Sequence, residues 1–363
     1  MKLLIEPGDG VQSLKRVIDK AKSSIEIMIF RFDQSELEKA LARAVERGVF
    51  VHALIAATNR TAEESLRRLE LRLLNAGVTV ARTAQDLLRY HGKLMIIDRR
   101  ELYLLAFNLT HADMERSRSF GLVITASELV REAVRLFEAD AKRIPYEPQT
   151  NKLVISPVNA RQQLAAFIEK AKKELIVYDP KVSDRAMLRL LRECAASGVK
   201  VRVIGKMQRA IPAVEVRRLD MRLHTRTMVR DGEWAFLGSQ SLRADELDSR
   251  REVGLIFREP KVVRSILRTF DEDWERAEQA VQNAESAQSP ALKVAKKLAK
   301  AVAKELPDLT PIVNGAVKTG GPGLKIPAGQ VEEIVRGAVK IAVRGAVKEV
   351  LEAVGENPSE RAG

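Results

Sequence analysis

The segment LLIEPGDGVQSLKRVIDKAKSSIEIMIF, Leu3 to Phe30, recurs 150 residues later as LVISPVNARQQLAAFIEKAKKELIVYDP, Leu153 to Pro180. Pro7 matches Pro157, Ala21-Lys22 matches Ala171-Lys172, and Gly48 in RGVFVHALI answers Gly198 in SGVKVRVIG. From the next motif onward the offset falls to 133, pairing His91 with His224, Asp98 with Asp231, Gly121 with Gly254, Phe137 with Phe270 and Asp140 with Asp273. The first copy therefore carries 17 extra residues, in the helical stretch TAEESLRRLELRLLNAG. Such a repeat restricts the fold more than composition does, because both copies must adopt one architecture and pack against each other about a pseudo-twofold axis.

Each copy is expected to run helix, strand, helix, strand, then two strands around the motif and a closing helix. Leu14, Val17, Ile18 and Ala21 keep the spacing of one helical face. IEIMIF and LIVYD are short, apolar, β-rich runs between turn residues, which suits buried strands. Alternating elements of this kind argue an α/β class, with one α/β sandwich per copy. The halves are expected at 1–146 and 147–277, followed by a helical tail at 278–363. That tail changes character: Leu292, Ala295, Ala299, Val302 and Leu306 recur at heptad-like spacing among Lys293, Lys296, Lys297, Lys300 and Lys304. GAVK recurs at Gly315, Gly337 and Gly345. A cationic amphipathic helix can lie on an anionic membrane surface, fold back on the core, or join two copies in an oligomer.

The 363 residues and 45% hydrophobic content supply a sizeable core. A net charge of +13 favours a phosphate-bearing partner, nucleic acid or anionic lipid. MKLLIEPGDG has no signal-peptide apolar region, and no apolar run reaches the length of a membrane span. Cys194 is the only cysteine, which excludes an intramolecular disulfide and thiolate clusters. The expected setting is cytoplasmic, at most peripheral to a membrane.

RYHGKLMIIDRR, Arg89 to Arg100, and RLHTRTMVRDGE, Arg222 to Glu233, each place a cation two residues after a histidine and an aspartate five beyond that. In an extended chain His91 and Lys93 share a face, as do His224 and Arg226. Asp98-Arg99 and Asp231-Gly232 read as hairpin turns with LYLLAFN and WAFLGSQ as return strands. Brought together across the pseudo-twofold, the motifs give two imidazoles in a positive cleft. One can attack phosphorus while the other protonates the leaving alkoxide, and the cations stabilise the phosphorane oxygens. This reaction needs no metal and implies no cofactor; Lys or Arg beside each histidine opposes a divalent ion. His52, in a strand, and His111, in a polar loop, are expected to be structural.

These residues resemble the phospholipase D superfamily, whose signature is His-x-Lys-x4-Asp followed by Gly-Ser-x-Asn. The first copy supplies His91, Lys93, Asp98 and Asn108, with Leu105 and Ala106 in place of Gly and Ser. The second supplies His224, Asp231, Gly238 and Ser239, with Arg226 for Lys and Ser241 for Asn. The family also places an acid downstream of each histidine; Glu252 fills that place in the second copy and Ser119 stands there in the first. The resemblance implies that the acid reaches across to the opposite histidine, making His91 the nucleophile and His224 the general acid. It implies a phosphodiesterase or phosphatidyltransferase acting on phospholipid head groups, like the bacterial phospholipase D and cardiolipin synthase group. A nuclease using the same site, which the net charge suits, is one alternative; a binding or scaffold protein with a decayed site, for which Leu105, Ala106, Ser119 and Arg226 speak, is the other.

Overall fold

The computed structural model describes residues 1–57, 63–150 and 152–286. The first half runs β1 (Lys2–Glu6), α1 (Gly10–Lys20), β2 (Ser24–Ile29), α2 (Ser35–Glu46), β3 (Phe50–Ile55), α3 (Glu63–Asn75), β4 (Thr79–Arg82), β5 (Arg89–Tyr90), β6 (Leu94–Ile97), β7 (Glu101–Leu105), α4 (His111–Glu115), β8 (Ser117–Ile124) and α5 (Ser127–Lys142). The second runs β9 (Leu153–Ser156), α6 (Ala160–Glu169), β10 (Glu174–Val182), α7 (Arg185–Ala196), β11 (Lys200–Met207), β12 (Val214–Arg217), β13 (Arg222–Leu223), β14 (Arg226–Arg230), β15 (Trp234–Gly238), α8 (Ala244–Asp248), β16 (Arg250–Phe257) and α9 (Pro260–Ser286). The two lists agree element by element except for α3, which falls in the stretch that the first copy carries in addition.

The strands form two mixed eight-stranded sheets. The first is ordered β1-β8-β7-β6-β2-β3-β4 with β13 beside β8, and the second β12-β11-β10-β14-β15-β16-β5 with β9 beside β16. Thus the dipeptide before each motif histidine leaves its own half. Arg89 and Tyr90 pair in parallel with Arg250 and Arg251, while Arg222 and Leu223 pair in parallel with Ser117 and Arg118. Among the strands that went beyond the sequence expectation are β1 and β9 ahead of the first helix, and the closing strands β8 and β16. Their short apolar runs are interrupted by Glu6, Ser119 and Glu252, so only pairing with a neighbour reveals them as strands.

Three apolar layers hold this arrangement. α1, α2 and α3 cover the outer face of the first sheet through Leu14, Ile18, Leu37, Leu41, Leu69 and Leu73, and α6 and α7 cover that of the second. The inner faces of both sheets share one core with α5 and α9, in which Phe120, Tyr178, Phe137, Phe270 and Trp274 meet. Each such side chain contributes about 1.5–3 kcal/mol on burial. Two ion pairs cross this core. Arg118 of β8 donates to Asp273 of α9 at 2.7 and 3.0 Å. Its counterpart Arg251 of β16 donates to Asp140 of α5 at 3.1–3.2 Å.

The aspartates of the motifs brace the sheets from their outer ends. Asp98 opens the β6–β7 turn and accepts from the amides of Lys22, Ser23 and Ser24 at 2.7–3.1 Å. Asp231 does the same for Lys172, Lys173 and Glu174. Asp98 and Arg99 both have φ of +52°, and Asp231 and Gly232 have +53° and +69°, the left-handed pair that a two-residue hairpin demands.

Among the described residues no helix is long and apolar enough to cross a membrane. The lysine-rich repeat at 293–304 and the GAVK repeats lie outside the described residues.

Candidate active site

His91 and His224 stand at the crossing points where the chain passes from one sheet to the other. The sequence expectation put His91 and Lys93 in one strand; instead β6 begins only at Leu94, and His91–Lys93 is the bridge between sheets. The bridge is anchored at both ends of the pseudo-symmetry: the His91 amide donates to the Arg251 carbonyl at 2.7 Å and the His224 amide to the Arg118 carbonyl at 3.0 Å. Both histidines are 7% exposed.

The in-register neighbour of His91 is Glu252, fully buried, and both of its carboxylate oxygens lie 2.9 Å from His91 Nδ1. Nδ1–H donating to this carboxylate leaves the lone pair on Nε2. Burial raises the Glu252 carboxyl, against the pull of Lys93 and the hydroxyl of Ser239. The edge of Phe30 packs on the imidazole at 4.5 Å between ring centres. Lys93 Nζ donates to the His91 carbonyl at 2.7 Å and lies 3.0 Å from each ring nitrogen. Burial brings its ammonium down to about 7, opposed by Glu252.

His224 has different company. Its Nε2 is 3.5 Å from Asp113 Oδ2, and its Nδ1 is buried without a partner. Arg226 repeats the backbone role of Lys93, donating through Nη1 to the His224 carbonyl at 2.6 Å, and reaches Ser241 Oγ through Nε at 3.2 Å. Burial depresses His91, helped by Lys93 and by Arg226 from the other half. Burial depresses His224 too, then Arg226, against the pull of Asp113 and with Lys93 adding to the effect. Each half's cation acts on both imidazoles, so the two motifs make one site.

Asp113 and Glu246 were not among the residues expected from sequence. They occupy equivalent places in α4 and α8. Asp113 accepts from the amide and side-chain nitrogen of Asn108 at 2.8 and 2.6 Å and from Arg222. Glu246 accepts from the Ser241 amide at 2.8 Å and from Arg250 at 3.2 Å. Burial raises the Asp113 carboxyl, but His224 and Arg222 outweigh it and hold the group low. A carboxylate five residues after Asn108 and again five after Ser241 was the available signal.

The departures at Leu105 and Ala106 have a packing reason. Gly238 opposes Gly254 across β15 and β16, and a Cβ on Gly238 would sit 2.7 Å from the Gly254 Cα and 2.5 Å from Gln240. In the first half Leu105 opposes Gly121, and its Cδ2 fills the space a Cβ there would need, 3.0 Å away. Ser239 ties to β16 through the Val253 amide at 3.1 Å beside Glu252; Ala106 has Ser119 in that neighbourhood and no carboxylate to hold. Asp98 and Asp231 act outside the cleft, as structural braces. His52 lies in β3 against Phe137, and His111 opens α4, not a loop, with Nδ1 2.8 Å from Glu115.

Residues 14–141 and 164–274 both match the family described as "Cardiolipin synthase, PLD-like domain". The chain belongs to the phospholipase D-like family. This phospholipase D-like chain is 29% identical to a polyphosphate kinase from Prosthecochloris aestuarii over 288 residues, 69% of this chain and 40% of that protein. It is 24% identical over 337 residues to a cardiolipin synthase from Listeria welshimeri, covering 75% of this chain and 68% of that one. A solved polyphosphate kinase from Porphyromonas gingivalis shares the fold with a TM-score of 0.63 at 20% identity, over 73% of this chain and 49% of the other. The chain thus spans about two-fifths of the first of these relatives.

Proposed function

We propose that the protein is a metal-independent phosphodiesterase or phosphatidyltransferase acting on phospholipid head groups through a phosphohistidine intermediate. The observation that carries this reading is the unequal pair of imidazoles: His91 with Nδ1 on Glu252, and His224 with Nε2 beside Asp113. His91 Nε2 attacks phosphorus, the bond to the leaving alkoxide breaks, and His224 gives that oxygen a proton. Water or an alcohol then attacks the phosphohistidine, returning a proton to His224. Lys93 and Arg226 balance the charge on the non-bridging oxygens. The similarity to a cardiolipin synthase and the family's description support a lipid substrate. Each half, 1–146 and 147–277, supplies one histidine, and the basic segment 278–363 holds the protein at an anionic surface.

A second reading has the same imidazole taking a phosphoryl group from a phosphate chain. It is favoured by the similarity to a polyphosphate kinase across 69% of this chain. Parallel incubations with labelled phosphatidylglycerol, DNA and polyphosphate, each with excess chelator, separate the readings. Head-group release or transfer that survives the chelator is expected. Turnover of polyphosphate or DNA alone moves the assignment, and abolition by chelator with rescue by a divalent ion refutes the mechanism.

A further inference from the structure

Three buried polar atoms without partners stand in a row at the first sheet: Glu6 Oε1 in β1, Ser119 Oγ in β8 and His224 Nδ1 in the first residue after β13. Glu6 lies directly opposite Ser119 in the β1–β8 register. On the other side of β8, Leu223 pairs with Arg118 and the His224 amide binds the Arg118 carbonyl. The next step of that register sets His224 beside Ser119. Residues in register across neighbouring strands share a face, with Cβ atoms about 4.5–5.5 Å apart, so Glu6, Ser119 and His224 form one row.

The second sheet holds the same row with two residues exchanged. Ser156 of β9 lies opposite Glu252 of β16, and Glu252 is beside His91. There the glutamate is in the middle and grips the imidazole, while the outer serine hydroxyl is idle. In the first sheet the serine is in the middle and the glutamate outside. Glu6, Ser119, Ser156 and Glu252 are all fully buried. Each half thus keeps one carboxylate and one hydroxyl behind the other half's histidine, in opposite order.

The Glu6 carboxylate is only half used. Oε2 accepts the Gly10 amide at 2.9 Å, leaving Oε1 free. Buried polar groups without partners are costly, and a connected row removes that cost. Burial lifts the Glu6 carboxyl to about 7; the Gly10 amide opposes this and Asp9 adds to it.

We propose that Glu6, acting through the hydroxyl of Ser119, orients His224 as Glu252 orients His91. His224 Nδ1–H donates to Ser119 Oγ, and Ser119 Oγ–H donates to Glu6 Oε1. Neither bond is made in the structure, so the relay requires the Ser119 and Glu6 side chains to rotate within the row. Glu6 and Ser119 are positioning residues: they fix the ring so that Nε2 faces the leaving oxygen. The inference rests on His224 being the proton donor, and it explains how a chain with Ser119 at the place of the first acid keeps an oriented second imidazole.

The test compares Glu6→Gln, Ser119→Ala and the exchange Glu6→Ser with Ser119→Glu, which rebuilds the row of the second sheet. Two diesters are used: phosphatidylglycerol, whose leaving alkoxide needs a proton, and bis-p-nitrophenyl phosphate, whose leaving phenolate does not. Each single variant should lower kcat on the lipid by roughly tenfold or more with KM unchanged, and leave the rate of the first-turnover burst from the activated diester within about twofold. The exchange should recover most of the lipid rate. Equal losses on both substrates, or no recovery by the exchange, would overturn the relay and reduce Glu6 to a cap on α1. Wild-type protein inert on both diesters would instead count against the proposed function. The relay is then read from nitrogen-15 spectra of labelled histidine, in which four rings must be assigned. Ser119→Ala and Glu6→Gln should each shift the His224 Nδ1 resonance, and an unmoved resonance in both would overturn the relay.

Discussion

The two halves share a backbone plan and differ where the chemistry is. His91 has a carboxylate on Nδ1 and an ammonium at its carbonyl; His224 has an idle Nδ1, a carboxylate near Nε2 and a guanidinium at its carbonyl. Behind them, Glu252 and Ser119 occupy equivalent places. Under the proposed function, the difference teaches that a repeat can preserve a pair of imidazoles while letting their roles diverge. An imidazole with a carboxylate behind it is a better nucleophile, and one with a carboxylate in front is better placed to hold and hand over a proton. Lys93 and Arg226 illustrate the limit of this freedom. A point charge and a planar fork are not interchangeable in general, yet both satisfy the carbonyl of the histidine two residues back.

The largest break in the comparison should come from the histidines. His91→Ala should abolish turnover of every diester, a loss on the order of 10⁴-fold or more. His224→Ala should lose at least about a hundredfold on a lipid diester and keep a burst of product from bis-p-nitrophenyl phosphate. Equal loss in both variants on both substrates would mean that the halves do not divide the labour.

The two cross-half ion pairs offer a comparison in stability. Asp273 holds Arg118 and also accepts from the Tyr178 hydroxyl at 2.7 Å, whereas Met28 stands where Tyr178 would in the first half. Asp273→Ala strands a buried guanidinium and should cost about 3–5 kcal/mol in urea unfolding. Asp140→Asn should cost clearly less. Burial lifts the Asp140 carboxyl to about 6 against the pull of Arg251, so its folded state binds protons more tightly than the unfolded chain. Its contribution is therefore complete below the ordinary 3.8 and lost as pH rises through about 6.

The smallest effect is a slope with pH. Both imidazoles titrate below the ordinary 6.5 because they are buried among Lys93 and Arg226. At pH 7 the proton that His224 must donate is scarce, and it is gained as pH falls. Between pH 7.5 and 6 the kcat/KM for a lipid diester should rise several-fold, and more steeply than that for bis-p-nitrophenyl phosphate, which gains only from protonation of Lys93 at about 7. Parallel profiles for the two substrates would contradict the assignment of His224.

Much of the architecture was legible because the repeat can be aligned with itself. The pairs His91/His224, Asp98/Asp231 and Asp140/Asp273 fixed two equivalent α/β units, and the hairpins at Asp98 and Asp231 followed from their turn chemistry. The exchange of β5 and β13 between sheets was not legible, since Arg89-Tyr90 and Arg222-Leu223 are two-residue strands that exist only through pairing with the other half. For the same reason the sequence placed His91 and Lys93 on one strand when they form a crossing. Asp113 and Glu246 escaped because their role depends on short helices that bring them under Asn108 and Ser241. The reversed order of glutamate and serine behind the histidines was hidden as well. It becomes visible only when register sets Glu6 beside Ser119 and Ser156 beside Glu252.

The division of labour between the halves is tested most directly by finding which imidazole carries phosphorus. Wild-type protein and His224→Ala would be mixed with bis-p-nitrophenyl phosphate, quenched in base within the first turnover, digested and mapped by mass spectrometry. The account predicts a base-stable, acid-labile phosphoryl adduct on the peptide containing His91 in both proteins, accumulating further in His224→Ala, where no base takes the proton of the attacking water. An adduct on the peptide containing His224 would contradict it.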